Sequence, residues 1–200
     1  MLLIASAWRR RLSVASPAGG FTLVELVVVM VIAGVLGAIA AGRFVDQPAF
    51  AAAACAEQSR ALLRYAQKHA IAQNRPVYVV LTEARMGLCY NYQSDASCNG
   101  GNRVQAPAGS NSGAAATVAA CADAGWLCEG TPAGLARTLA PAAPYFYFDA
   151  LGRPCAASDS AASGASTFVT SALTISGDAG ATGNPASIAI VISQETGYVY

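Results

Sequence analysis

GGFTLVEL, residues 19–26, opens an apolar run over residues 21–41 in which Glu25 is the only charged residue. At a rise of about 1.5 Å per residue, a helix of this length spans roughly 32 Å. That length is enough to cross a hydrocarbon core of about 30 Å. The run therefore predicts a membrane-spanning helix with a single acid near its start.

Glu25 needs an explanation in such a helix. A carboxylate near the membrane interior costs on the order of 2.5–3.5 kcal/mol on the most lenient scale, so an acid there usually has a function and a partner. The apolar run itself contains no cation. Cleavage of the chain after Gly20 would create an α-amino group on Phe21, and this charge could pair with Glu25 of a neighbouring copy.

The octapeptide resembles the processing site of type IV prepilins and type II secretion pseudopilins. Four features carry the resemblance: a small residue before the cut, an aromatic residue after it, the acid, and the long apolar run. It implies that residues 1–20 are a leader, and that a prepilin peptidase cleaves after Gly20 and methylates Phe21. It also implies that Glu25 guides assembly with other pilins or pseudopilins.

Two other interpretations of the N-terminus stay open. Arginines at 9–11 and the segment Ala38-Ile39-Ala40-Ala41, which resembles a signal peptidase site, are also typical of a secretory signal. However, the run exceeds an h-region of roughly 7–15 residues and Glu25 interrupts it. The second alternative is an unprocessed membrane anchor. The arginines keep the N-terminus cytoplasmic in that case too, by the positive-inside rule. Only the state of the mature N-terminus separates these hypotheses.

The cysteines are candidates for disulfide bonds, because they lie in a part of the chain that would be exported. Many pairings of six cysteines are possible, and the sequence does not choose among them. Two pairs are close in sequence and would each close a short loop, and the remaining two form a possible helix-to-sheet staple. In that order the pairs are Cys89 with Cys98, Cys121 with Cys128, and Cys55 with Cys155.

Composition and motifs argue against catalysis, a cofactor and a metal. The chain has no C-x-x-C motif, no nucleophile elbow and no carboxylate pair at a helix spacing that brings it together. Its single histidine, His69, would stand about 21 Å from Cys55 along one helix. We therefore expect neither an enzyme nor a metal protein.

The remaining sequence predicts an α+β fold. Residues 21–74 are predicted to form one long helix, whose second half shows apolar and small residues at spacings of three and four before Asn74 and Pro76 end it. Residues 75–200 form the predicted β-rich domain. Its predicted strands are 77–81, 86–92, 145–148, 167–175 and 187–193.

Residues 93–125 are poor in large apolar side chains and are expected to form a long surface excursion tied down by disulfides. The C-terminal part, with its Asp149 to Pro154 turn and its Thr196-Gly197 pair, loosely resembles the minor pseudopilins called GspH and the minor pilins called FimT and FimU. This resemblance implies a long N-terminal helix packed on an antiparallel sheet domain.

The resemblance also implies a location and a role. The chain would span the inner membrane once with its C-terminal domain in the periplasm, and would enter a pilus or pseudopilus on assembly. It would be a minor, non-catalytic subunit of a type II secretion pseudopilus or type IV pilus, acting in filament initiation or at the tip. The alternative is a tip module that recognises DNA, a glycan or cargo, and a concave polar or aromatic patch formed by residues 93–125 would favour it.

No nucleic-acid partner is favoured. Some FimT-like proteins bind DNA through a basic segment after the Thr-Gly pair, whereas Tyr198-Val199-Tyr200 follow it here. Without the three leader arginines, nine basic side chains stand against eleven acidic ones, a balance of −2. Phosphate contacts that drive DNA binding are therefore missing from this segment.

Overall fold

The computed structural model describes residues 21–43, 47–92, 98–161, 163–179 and 185–200. The chain divides into two compact units, residues 1–44 and 45–200. The predicted leader, including Gly20, lies outside the described residues, as does the start of the predicted excursion at 93–97.

The first unit contains helix α1, Leu23–Arg43. Thr22 caps this helix: its Oγ1 accepts a hydrogen bond from the main-chain N–H of Glu25 at 3.2 Å, and its carbonyl accepts one from Leu26 at 3.1 Å. Within the described ranges, no helix is both long enough and apolar enough to cross a membrane. The span predicted over 21–41 stays a prediction.

The second unit contains two further helices and, within its described residues, eight strands that form two antiparallel sheets. The helices are α2 (Gln47–Gln73) and α3 (Ala115–Cys121), with a short 3-10 turn at Gly100–Asn102. The strands are β1 (Val77–Leu81), β2 (Arg85–Cys89), β3 (Cys128–Gly130), β4 (Leu135–Ala140), β5 (Tyr145–Phe148), β6 (Pro154–Cys155), β7 (Ser171–Ala179) and β8 (Pro185–Ile192). The sheet orders are β3-β2-β1-β5-β6 and β4-β7-β8.

Helix α2 covers both sheets with one buried face. The buried residues on this face are Ala52, Cys55, Ala56, Ser59, Leu62, Leu63, Ala66 and Ala70. They pack against alternate residues of the strands, such as Val77 and Val79 of β1 and Phe146 and Phe148 of β5. The predicted amphipathic face and the α+β class, with a helix on antiparallel sheet, are confirmed.

The end of α2 matches its prediction and has a clear cause. Asn74 adopts a positive φ of 50°, and the N–H groups of Asn74 and Arg75 donate to the carbonyls of Ile71 and Ala70. This is the Schellman arrangement, which satisfies carbonyls that the last turn would leave free. Asparagine tolerates the left-handed conformation better than most residues do.

The described part of the predicted excursion, 98–125, is tied down by disulfides at Cys98 and Cys121 as expected, but it also contributes to a core. Together with Trp126 it covers the outer face of the five-stranded sheet and forms a second core with Val80 and both disulfides. The indole Nε1 of Trp126 donates to the Leu88 carbonyl at 2.9 Å, and the guanidinium of Arg103 lies 4.8 Å from its ring centroid. One tryptophan just beyond the segment supplies the volume that the small residues lack.

Gly87 makes room for this layer. A Cβ at Gly87 would lie 2.5 Å from Cζ2 of Trp126, so only glycine lets the indole approach strand β2. This contact was not predictable from the sequence, because the two residues are far apart in the chain.

Disulfides join Cys89 to Cys98 and Cys121 to Cys128, but the expected bridge between Cys55 and Cys155 is wrong. Both of these cysteines are free and buried. Cys155 lies opposite Tyr147 on the outer face of the sheet, whereas Cys55 belongs to the α2 core and accepts a hydrogen bond from Arg137 at 3.3 Å. The two thiols therefore lie on opposite faces. Burial raises the pKa of the Cys155 thiol.

Candidate functional site

Of the predicted processing and assembly residues, Phe21 and Glu25 lie at the start of α1. Gly20 lies outside the described residues, while Phe21 is 79% exposed and Glu25 lies in the first turn of the helix. A negative charge there is favoured by the helix dipole. Thr22 was missed as a functional residue, although the pattern T-x-x-E ahead of an apolar run is a known N-terminal capping signal.

The surface of α1 is apolar on all sides. Its large apolar side chains are 48–79% exposed between residues 21 and 39. They are Phe21, Leu23, Val24, Leu26, Val27, Val28, Val29, Met30, Val31, Ile32, Val35, Leu36 and Ile39. A helix that is hydrophobic all round is stable only when something apolar surrounds it. We therefore expect an apolar environment to cover this surface.

The carboxylate of Glu25 is available for an external partner. Its side chain is exposed, and among the described residues no Lys, Arg or His nitrogen forms an ion pair with it. The contact with Thr22 uses the main-chain N–H of Glu25 and leaves the carboxylate oxygens free. Helix α1 thus presents the carboxylate of Glu25 on an otherwise apolar surface.

The C-terminal segment, residues 196–200, is held against α2 by hydrogen bonds. Gln67 Nε2 donates to the carbonyls of Gly152 at 2.9 Å and Thr196 at 2.7 Å. Arg64 donates to the Val199 carbonyl through Nε and Nη2, at 3.2 and 2.9 Å. A Cβ at Gly197 would lie 2.6 Å from the Gly152 carbonyl oxygen, so this junction requires glycine.

His69 is a packing residue. Its Nε2 lies 2.7 Å from the Tyr90 hydroxyl, and its ring stacks on Tyr65 at 5.2 Å. Burial, together with the positive charge of Arg75, lowers the pKa of His69. Within the ranges that the structure describes, no group of three or more His, Cys, Asp and Glu side chains could hold a metal ion.

Comparison with known protein families identifies the family of this chain. The prokaryotic N-terminal methylation motif matches residues 16–41, and the family model described as type II transport protein GspH matches residues 56–197. The chain belongs to the GspH family. The predicted resemblance to type IV prepilins, and to minor pilins and pseudopilins of the GspH and FimT type, is confirmed.

The GspH-family fold is also similar to a solved structure. The type IV minor pilin FimU of Pseudomonas aeruginosa strain PAO1 matches with a TM-score of 0.44 and 15% identity, covering 78% of this chain and 87% of FimU. A second crystal form of FimU matches with a TM-score of 0.43 and 14% identity, covering 74% of this chain and 89% of FimU. A comparison with curated proteins found no match.

Proposed function

We propose that this GspH-family chain is cleaved after Gly20, methylated at Phe21, and assembled as a non-catalytic minor subunit of a type II secretion pseudopilus or type IV pilus. The observation that carries the proposal is the exposed apolar surface of α1 with Glu25 at its start, within the matched methylation motif. The subunit acts in filament initiation or at the tip.

The apolar surface explains how α1 serves two environments. Before assembly the helix lies in the inner membrane as a single-pass anchor, with residues 45–200 in the periplasm. In a filament, neighbouring helices replace the lipid. Relative to water, each large side chain contributes about 1.5–3 kcal/mol when buried in either environment. Hydrophobicity alone therefore favours neither state strongly, because lipid tails are as apolar as the neighbouring side chains.

Glu25 supplies the difference between the two states. In the membrane its carboxylate costs on the order of 2.5–3.5 kcal/mol. In the filament the methylated amine of a neighbour's Phe21 neutralises that charge. Such a pair forms at one axial position only, so it also sets the register of the incoming subunit.

The processing step is tested by intact-mass measurement of the mature protein. We expect a chain that begins at methylated Phe21. Gly20→Val should leave the full-length precursor in the inner membrane, because the peptidase must fit a small residue before the cut. Ala18→Val places the same side chain two positions earlier and should be processed. A mature chain beginning near Ala41 would instead identify a secretory signal.

The alternative of a ligand-binding tip has one observation in its favour. Residues of the segment 98–125 line a cavity of about 360 Å³, formed by residues 110–113 and by Thr117, Val118 and residues 122–124. The Ser112 and Thr117 hydroxyls at its wall already bond to Glu129, at 2.5 and 2.8 Å. Assembly therefore stands as the first proposal.

A further inference from the structure

A groove on the globular unit lies between α2 and the segment that follows the first disulfide. Its volume is about 240 Å³. It is lined by Gln58, Ala61, Leu62 and Tyr65 of α2 and by Pro107, Leu127 and Glu129. We call it the α2 groove. Apart from Gln58, Glu129 and the hydroxyl of Tyr65, the lining residues are apolar.

Glu129 lines this groove, and the register of β3 places it on the face of the sheet that α2 covers. Its strand partner is Met86, whose side chain lies in the core beneath α2, so Glu129 is on the same face of the sheet. The residue is only 6% exposed. A charged residue this deeply buried is rare unless it has a partner.

The partners of the Glu129 carboxylate within the described part of the chain are all neutral. Oε1 accepts the main-chain N–H of Ser112 at 3.1 Å, and Oε2 accepts the hydroxyls of Ser112 at 2.5 Å and Thr117 at 2.8 Å. Arg137 bonds to the main-chain carbonyl of Glu129, at 2.9 Å. Among the described residues, no cationic nitrogen lies within 4.0 Å of the carboxylate oxygens.

This arrangement leaves one charge and one acceptor position unused. A carboxylate offers about four lone-pair sites, and three are filled here. Burying a carboxylate without a cation is costly, so a positive group brought into the α2 groove would gain from the pairing. Charge complementarity thus selects a cationic occupant.

The single open acceptor position also selects the kind of cation. A guanidinium binds a carboxylate best through two parallel hydrogen bonds, and Oε2 already accepts two. An ammonium is a compact point charge that needs only one oxygen. The methylene stem of a lysine side chain would lie along Leu62, Tyr65 and Leu127, as such stems do on apolar surfaces.

We propose that the α2 groove receives a lysine side chain of another pilin subunit, with its ammonium bonded to Glu129 Oε1. The identity of the partner rests on the proposed function, since it requires assembly. The chemistry of the site does not, and it can be measured on a single chain. Docking at this groove would give the globular units a specific contact in addition to packing of α1.

The test uses the full chain in detergent micelles and n-butylammonium as the probe. We expect saturable chemical-shift changes at the methyl groups of Leu62 and Leu127. Butan-1-ol, which has the same stem without the charge, should not saturate these sites. Ethylguanidinium should bind more weakly than n-butylammonium.

Variants separate the charge from the shape of the groove. Glu129→Gln should weaken n-butylammonium binding by at least about tenfold. Ala61→Trp should fill the groove and abolish binding without touching Glu129, whereas Ala53→Trp, also exposed on α2, should bind as wild type does. Equal binding of butan-1-ol, wild-type affinity in Ala61→Trp, or no binding at all would overturn the proposal.

The two proposals fail in distinguishable ways. Loss of n-butylammonium binding with a methylated Phe21 intact would reject the groove and leave the proposed function standing. Binding of n-butylammonium by a chain that begins near Ala41 would keep the ammonium site and reject a pilin partner.

Discussion

At the scale of single residues, the stabilising effect of Glu25 on its own helix is smaller than the cost of its carboxylate in a membrane. Its place in the first turn of α1, beside the Thr22 cap, stabilises the helix by about 0.3–1 kcal/mol through the dipole. That is less than the cost of roughly 2.5–3.5 kcal/mol for a carboxylate in a membrane. The local role therefore does not account for the acid in the proposed membrane anchor, which is why we propose a partner outside the chain.

His69 gives a prediction of pH dependence. Its folded-state pKa is lowered by burial and by Arg75, so the unfolded state binds more protons as the pH falls through about 6.5. The stabilising effect of the neutral ring is complete above that pH and is lost as the pH falls toward the folded-state pKa. We expect the free energy of unfolding to decrease between about pH 7.5 and 5.5.

The measurement is urea unfolding at several pH values, with His69→Phe as the control. Phenylalanine keeps a ring next to Tyr65 but cannot titrate, so its stability should change less over the same pH interval. Parallel pH profiles for the two proteins would show that another group controls the dependence.

At the scale of elements, sequence patterns predicted what periodicity can encode. The α2 face, the β1 and β2 hairpin, and strand β5 follow from repeated spacing or alternation over several residues. Strands β3 and β6 have three and two residues, too few for a pattern. Their positions depend on pairing with β2 and β5, which is set by tertiary structure.

The cysteines also show how far the sequence alone can predict the structure. Short sequence separation indicated which pairs would close small loops, but Cys55 and Cys155 were paired only because they remained. Which face of the sheet Cys155 occupies depends on its register with Tyr147, and the register was not visible in the sequence.

The contact between α3 and β3 gives a prediction about Gly130. A Cβ there would lie 2.2 Å from the Ala116 carbonyl oxygen, which is main chain and cannot rotate away. Gly130→Ala should displace α3 and weaken the bond from the Gly130 N–H to Thr117 Oγ1, now 3.0 Å. We expect a loss of about 1–3 kcal/mol in the free energy of unfolding.

Urea unfolding followed by Trp126 fluorescence would measure this loss, with Gly100→Ala as the matched control. A Cβ at Gly100 meets nothing within 4 Å, so that variant should stay within about 0.5 kcal/mol of wild type. Equal stability of the two variants would mean that α3 yields without cost.

At the scale of the whole molecule, the contacts that we propose for assembly involve both units. The unit of residues 1–44 carries the exposed apolar helix and Glu25, and the unit of residues 45–200 carries the α2 groove and a disulfide-linked outer layer. The sequence predicted the first unit from one motif. The groove was not predictable, because its lining residues are far apart in the chain and its charge is recognised only from the hydrogen bonds of Glu129.

The most direct test of the account compares Glu25→Ala with wild type in cells that contain the assembly machine. Membrane level and Phe21 methylation should be unchanged, because the substitution removes the only charge from the apolar run. The share of the variant in sheared filaments, or in crosslinks to partner pilins, should fall severely. Glu25→Asp keeps the charge with a shorter reach and should fall in between. Equal incorporation of Glu25→Ala and wild type at equal membrane levels would contradict the central claim that this acid guides assembly.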